Sequence, residues 1–180
     1  MEEMRALVFT EPKHVQLQTM EKPTITPSEV LMEVHAFAIC TMEQRAFNGG
    51  GTYPSLSGHE VCGVIREVGA DVLGYKVGDK IVSTFSYCGY CDNCKRGRGS
   101  KCVHSFQQRK RAHSDTIRVG NSGMIEFAAV PASQICRVGD DVPEELAALT
   151  EPLGCCIHSV EKTRVAYGDT VVVILSLIHI

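Results

Sequence analysis

The sequence predicts a mainly β protein: a small β-barrel or sandwich carrying a cysteine-rich lobe, followed by the first helix and strand of an α/β unit. Three observations predict it. Short alternating segments punctuated by glycine run from Met4 to Val130. Four cysteines crowd between Cys88 and Cys102. After Asp141 the apolar residues fall at helical spacing, and a β-branched run follows at 170–174.

Residues 4–9 and 14–18 read as strands with the turn Glu11-Pro12-Lys13 between them, so a hairpin opens the chain. Lys22 to Ser28 contains Pro23 and Pro27 and reads as a linker. Residues 29–38 alternate, with Val30, Met32 and Val34 on one face, which predicts a half-buried strand leading to Ile39-Cys40. Residues 41–47 predict one or two helical turns, and Asn48-Gly49-Gly50-Gly51 a flexible loop. Residues 61–68 form a strand interrupted by Gly63 and stopped by Gly69. Val77-Gly78-Asp79-Lys80-Ile81-Val82 is a turn feeding another strand.

Residues 107–122 are polar and read as loop, and 124–130 return to strand character. Asp141-Val142-Pro143-Glu144 has the form of a capping box with proline in the first helical turn. Leu146 and Leu149 continue that helix, and Glu151-Pro152 breaks it. Leu153, Cys156, Ile157 and Val160 share one helical face. Gly168-Asp169 is a turn, and residues 170–174 read as a buried parallel strand. Cys62 and Cys136 lie in strand surroundings and are expected in the core.

The strongest chemical signal is Cys88-Gly-Tyr-Cys91-Asp-Asn-Cys94, followed after seven residues by Cys102. Four thiolates can surround a tetrahedral zinc ion at about 2.3 Å each. Two-residue gaps let one tight loop supply three of them, with Gly89 easing the turn. Such a closed site has no room for substrate, which makes it structural. Iron–sulfur centres also use two-residue cysteine gaps, but here no proline follows the fourth cysteine and the spacing differs from the bacterial ferredoxin run.

The chain has 180 residues, 44% apolar and 22% charged, ordinary values for a globular protein. A formal net charge of −3 argues against a general nucleic-acid binder. The local basic run Lys95, Arg96, Arg98, Lys101, Arg109, Lys110 and Arg111 reads as a solvated loop whose charge offsets a dianionic zinc–thiolate centre. Nine cysteines, an odd number, and an acidic Met1-Glu2-Glu3 opening imply a reducing, cytoplasmic setting with metal ligation rather than a disulfide framework. No apolar run reaches membrane-spanning length, so no membrane partner is expected.

Cys40, His59 and Glu151 are each weak candidates alone. Their order around the cysteine lobe gives them meaning. Ile39-Cys40, Gly58-His59-Glu60 with Val61-Cys62-Gly63, Val77 to Val82, the lobe, Glu151-Pro152-Leu153 and Tyr167-Gly168-Asp169-Thr170-Val171-Val172-Val173 stand in one sequence. In these motifs the chain resembles the zinc-dependent medium-chain alcohol dehydrogenase family, including its polyol and threonine dehydrogenases, from about Met4 to Ile174.

The resemblance implies a GroES-like β-domain over 1–150 with the structural zinc lobe at 88–102. It implies the start of a Rossmann cofactor domain over 151–174, and it leaves 175–180 outside the pattern. It implies two zinc ions per chain. Cys88, Cys91, Cys94 and Cys102 would hold the structural one. Cys40 and His59 match ligands of a catalytic one, and Glu60 and Glu151 match the positions that supply further carboxylate ligation, one coordination position staying open. The implied reaction passes a hydride from a secondary alcohol, polyol or sugar to NAD or NADP, zinc acting as Lewis acid, in an enzyme that is a homodimer or homotetramer at full length.

Two departures stand out. Met42 occupies the position where the family commonly has a proton-relaying serine or threonine, and Arg45 the position of a relay histidine. After Val171-Val172-Val173-Ile174 the chain reads Leu175-Ser176-Leu177-Ile178-His179-Ile180, with neither a glycine-rich phosphate turn nor a ribose-binding acid. That hexapeptide matches the translation of a transposon-end sequence, so 175–180 is expected to be a non-native tail. Without the rest of a Rossmann sheet, residues 170–180 would form an exposed apolar edge. A non-catalytic zinc-binding fragment without a cofactor site, and an iron–sulfur electron carrier, are the alternatives.

Overall fold

The computed structural model describes residues 2–84, 87–104, 111–112, 118–119 and 123–173. It is mainly β, as the sequence predicts. Strands β1 (Glu3–Glu11) and β2 (His14–Glu21) form an antiparallel hairpin, with Lys13 at positive φ in the turn. A five-stranded antiparallel sheet follows in the order β8-β3-β4-β5-β9, built from β3 (Glu29–Ala38), β4 (Glu60–Val68), β5 (Lys80–Ser83), β8 (Phe127–Pro131) and β9 (Ile135–Arg137). Two short strands, β6 (Arg111–Ala112) and β7 (Arg118–Val119), pair inside the stretch expected as loop. Single bridges from Ala6 to Ile125 and from Phe9 to Ser55 fasten the hairpin to the rest.

Strand alternation explains the core. Met4, Ala6 and Val8 of β1 meet Val30 and Met32 of β3, Val61 and Ile65 of β4, and Ile81 of β5 in one buried cluster. Cys62 points the other way and packs with Val82, Ala147 and Ala148. Both faces are therefore covered at the start of β3 and of β4, where Glu29 to Met32 and Glu60 to Gly63 are all buried; the expected half-buried character of β3 holds only for its later residues. Cys62 is fully buried, as expected, whereas Cys136 is exposed on the edge strand β9. Ile135 is buried, and Cys136, the next residue along the strand, points to the opposite, uncovered face.

Gly63 is required by close approach. A Cβ there would lie 2.1 Å from the carbonyl oxygen of Glu33 on β3 and 2.7 Å from the Met32 side chain. Gly63→Val is expected to destabilise the protein by more than about 3 kcal/mol, because backbone cannot yield as a side chain does. A lower urea midpoint at unchanged m-value would show it.

The helices differ from the sequence expectation at their ends. Helix α1 (Thr41–Arg45) continues into a π-type turn at Ala46–Gly50, where Gly49 takes φ 102°, so the expected loop is partly helical. Helix α3 (Glu144–Ala147), which follows α2 (Asp92–Lys95), has Pro143 at its N-cap and no side-chain cap, so the capping box read at Asp141 does not form. Pro152 does not break the chain: it lies in the first turn of α4 (Thr150–Thr163), where its missing N–H has no intrahelical acceptor to lose. The apolar face of α4 is exposed at Leu153, Ile157 and Val160. Residues 170–173 form no strand, and Val171, Val172 and Val173 are exposed; among the described residues no strand pairs with them. The expected tail at 175–180 lies outside the described residues. Among the described residues no helix is long and apolar enough to cross a membrane.

Candidate metal centres

The lobe forms around its cysteines. Cys91 precedes the single turn of α2, Gly89 takes φ 78°, and a 3-10 turn at Gly99–Lys101 delivers Cys102. Ligand atoms of Cys88, Cys91, Cys94 and Cys102 all lie within 4.8 Å of one another. The Sγ separations are 3.9 Å for Cys88–Cys94 and 3.5 Å for Cys91–Cys94. Four sulfurs each about 2.3 Å from one tetrahedral ion stand about 3.8 Å apart. The spacing fits a single ion; a polynuclear iron–sulfur cluster would hold the sulfurs apart by its own width.

Backbone N–H groups also converge on the sulfurs. Cys88 N and His104 N each donate to Cys102 Sγ at 3.3 Å, and Cys91 N donates to Cys88 Sγ at 3.4 Å. Backbone N–H groups at its sulfur bring the Cys91 thiol down to about 6, while desolvation pushes Cys94 up to about 11. Crowded thiols cannot all ionise together unless a cation joins them. Among residues 87–104, Cys102 alone is buried, so the lobe has no apolar core of its own.

The second cluster joins distant parts of the chain. Ligand atoms of Cys40, His59 and Glu60 lie within 4.8 Å of one another. Cys40 stands at the N-cap of α1, just beyond β3, and Glu60 opens β4, the partner strand of β3. Gly58, at φ 100°, turns the chain into His59; a Cβ there would meet Gly123 N at 2.7 Å. Gly123 N donates to Gly58 O at 2.7 Å and fixes that turn from across the barrel. One sulfur, one imidazole and one carboxylate are donors that could together hold a zinc ion.

Glu151 is placed differently. It lies on the first turn of α4, where Cys155 Sγ donates to its Oε1 at 3.7 Å, and it is outside the close group of Cys40, His59 and Glu60. In this structure Glu60 is the carboxylate at the cluster.

Sequence reasoning missed Glu43. It is only 3% exposed, and its carboxylate accepts hydrogen bonds from Cys40 N (2.9 Å), Ser57 Oγ (2.6 Å) and Gly58 N (3.1 Å). Its Oε1 is 3.6 Å from His59 Nδ1. Glu43 thus holds both the Cys40 turn and the His59 turn, and it can fix the imidazole so that its other nitrogen faces a metal. The available signal was a glutamate three residues beyond an N-cap position, the spacing of a capping box.

Beside Cys40 a cavity of about 480 Å³ is lined mainly by Phe9, Val15, Ile39, Phe47 and Met124. Met42 is exposed, and Thr41 Oγ1 lies 3.8 Å from Cys40 Sγ.

Residues 26–140 match the family described as alcohol dehydrogenase GroES-like domain. L-threonine 3-dehydrogenase of Rhizobium rhizogenes is 32% identical over 164 residues, covering 87% of this chain and 45% of the relative. D-arabitol-phosphate dehydrogenase of Enterococcus avium is 34% identical over 157 residues, covering 84% of this chain and 42% of the relative. The cobalt- and zinc-bound thermostable alcohol dehydrogenase from Pyrobaculum aerophilum superposes with a TM-score of 0.68 at 28% identity, covering 83% of this chain and 45% of that one. The chain therefore spans less than half the length of these relatives. With a match extending over well more than half of its residues, the chain belongs to the alcohol dehydrogenase GroES-like family of zinc-dependent dehydrogenases.

Proposed function

We propose that the protein carrying this chain is a zinc-dependent dehydrogenase that oxidises a secondary alcohol, of polyol or sugar type, with NAD or NADP as hydride acceptor. The observation that carries this reading is the convergence of Cys40, His59 and Glu60 from separate elements onto one point. Zinc would be held there by those three residues, and at the lobe by Cys88, Cys91, Cys94 and Cys102, giving two ions per chain. When bound at the first site it supplies Lewis acidity toward an alcohol hydroxyl.

The chain's own residues do the rest. Glu43 fixes the ligand turns, and Phe9, Phe47 and Met124 give the cavity beside Cys40 an apolar wall against which a substrate's carbon skeleton can lie. Glu151, on a separate helix, is a candidate exchangeable ligand or proton acceptor rather than part of the close set. Met42 carries no exchangeable proton, so the alcohol's proton leaves through water. Residues 1–150 then act as the catalytic domain, and 151–174 open the cofactor domain. The nine free cysteines suit a reducing, cytoplasmic compartment.

The gene product carrying this chain, loaded with zinc, should form reduced nicotinamide from secondary alcohols such as L-threonine or polyols. Cys40→Ser should abolish this, and Met42→Ser should leave turnover and its pH profile unchanged. Metal binding without turnover on any alcohol, with either nucleotide, would favour a non-catalytic zinc module.

A further inference from the structure

Outside the metal centres, the polar cluster with the clearest geometry is centred on His35. Its Nδ1 is 2.7 Å from Glu144 Oε1 on α3, and its Nε2 is 3.2 Å from Glu33 Oε2 on β3. Arg66 of β4 holds the same Glu33 carboxylate from the other side. A neutral imidazole has one N–H and one lone pair. With a carboxylate at each nitrogen, the neutral ring would direct its lone pair at one of them. Only the imidazolium, with two donors, satisfies both.

We propose that His35 is a protonation-dependent latch that fastens α3, and the start of α4 behind it, to strand β3. Charged groups of both signs stand on the neighbouring elements, and the two carboxylates in contact with the ring, Glu144 and Glu33, favour the cation. Carboxylates come from Glu33 on β3, Glu144 and Glu145 on α3, and Glu126 just before β8. Cations come from Arg66 on β4, Arg5 paired with Glu126 on β1, and Lys80 on β5. Burial alone would lower the affinity of His35 for its proton. Hydrogen bonds to Glu144 and Glu33 more than offset this, so its pKa stands above the ordinary 6.5.

Apart from the latch, α3 is held by the burial of Ala147 beside Cys62 and Val82, and the segment before it by Lys80 Nζ at the carbonyls of Asp140 and Val142. The second tie ends on backbone carbonyls, whereas the latch joins an imidazole to two carboxylates and is the part of this junction we expect to respond to pH. Its contribution is complete below the unfolded-state pKa and is lost as pH rises through the higher folded-state value. Because α3 runs through Ala148 and Leu149 into α4, the latch also sets how firmly the segment bearing Glu151 is held to the sheet.

The test is an NMR titration of His35 in the zinc-loaded chain, with amide exchange of residues 144–148 followed across pH. His35 is expected to titrate above 6.5, and Glu144→Gln to lower that value by removing one carboxylate partner. After correction for intrinsic exchange, opening of 144–148 should increase through the same pH range, and His35→Gln should remove that dependence while the core strands stay protected. A His35 pKa at or below 6.5 would overturn the latch. So would a pH dependence at 144–148 that survives His35→Gln. Neither readout depends on catalysis or on which metal is bound.

Discussion

Cys91→Ser is expected to lower zinc affinity at the lobe more than about 100-fold and to unravel residues 88–104 while the barrel stays folded. Loss of an outer contact to a metal ligand already costs about 10–100-fold, so loss of a ligand costs more. The structural consequence follows from burial. Cys102 is the one buried residue between 87 and 104, and it is itself in the cluster. Nothing apolar replaces the metal as an organising centre, and a small unit without a core depends on such a staple. The barrel core is made by Val8, Val30, Ile65 and Ile81 and draws no residue from the lobe. Limited proteolysis should therefore cut within 88–104 in the variant, with far-UV circular dichroism nearly unchanged. An equally protected lobe with undiminished zinc would remove the structural role.

Glu43→Ala is expected to weaken metal binding at Cys40, His59 and Glu60 by roughly 10–100-fold and to cost about 2–3 kcal/mol of stability. The carboxylate is buried and accepts hydrogen bonds from two backbone N–H groups and one hydroxyl. Its removal frees Gly58 and Cys40 together, so both ligand-bearing turns loosen. Glu43→Gln keeps an acceptor oxygen and should fall between the two in both measurements. Isothermal titration with zinc, together with the urea midpoint, separates the effects. If Glu43→Ala binds zinc as the parent does, the carboxylate does not position the site.

Much of this was legible in the chain. Alternation at Val30 and Met32, and the glycines at 63 and 69, marked strands that the structure contains. The cysteine spacing marked a cluster whose sulfurs do converge. Cys40 and His59 were weak candidates alone and gained weight through the resemblance, because residues far apart in sequence meet by strand pairing: Ala38 stands opposite Glu60 in the register of β3 and β4. What stayed hidden depended on tertiary context. Cys136 looked like core, but local pattern does not say which strand lies at a sheet edge. Pro152 looked like a break, but its effect depends on whether it falls in a first turn. Residues 170–173 have strand composition but pair with no strand among the described residues, and composition does not supply one. Glu43 looked like an ordinary helical acid until burial and three donors set it apart.

The measurement that tests the central claim most directly is the metal content of the purified protein by elemental analysis and native mass spectrometry, on the parent, Cys91→Ser and Cys40→Ser. Two zinc ions per chain are predicted, with each variant losing a different one. A single metal lost in both variants, or iron with visible charge-transfer absorption in place of zinc, would contradict the account.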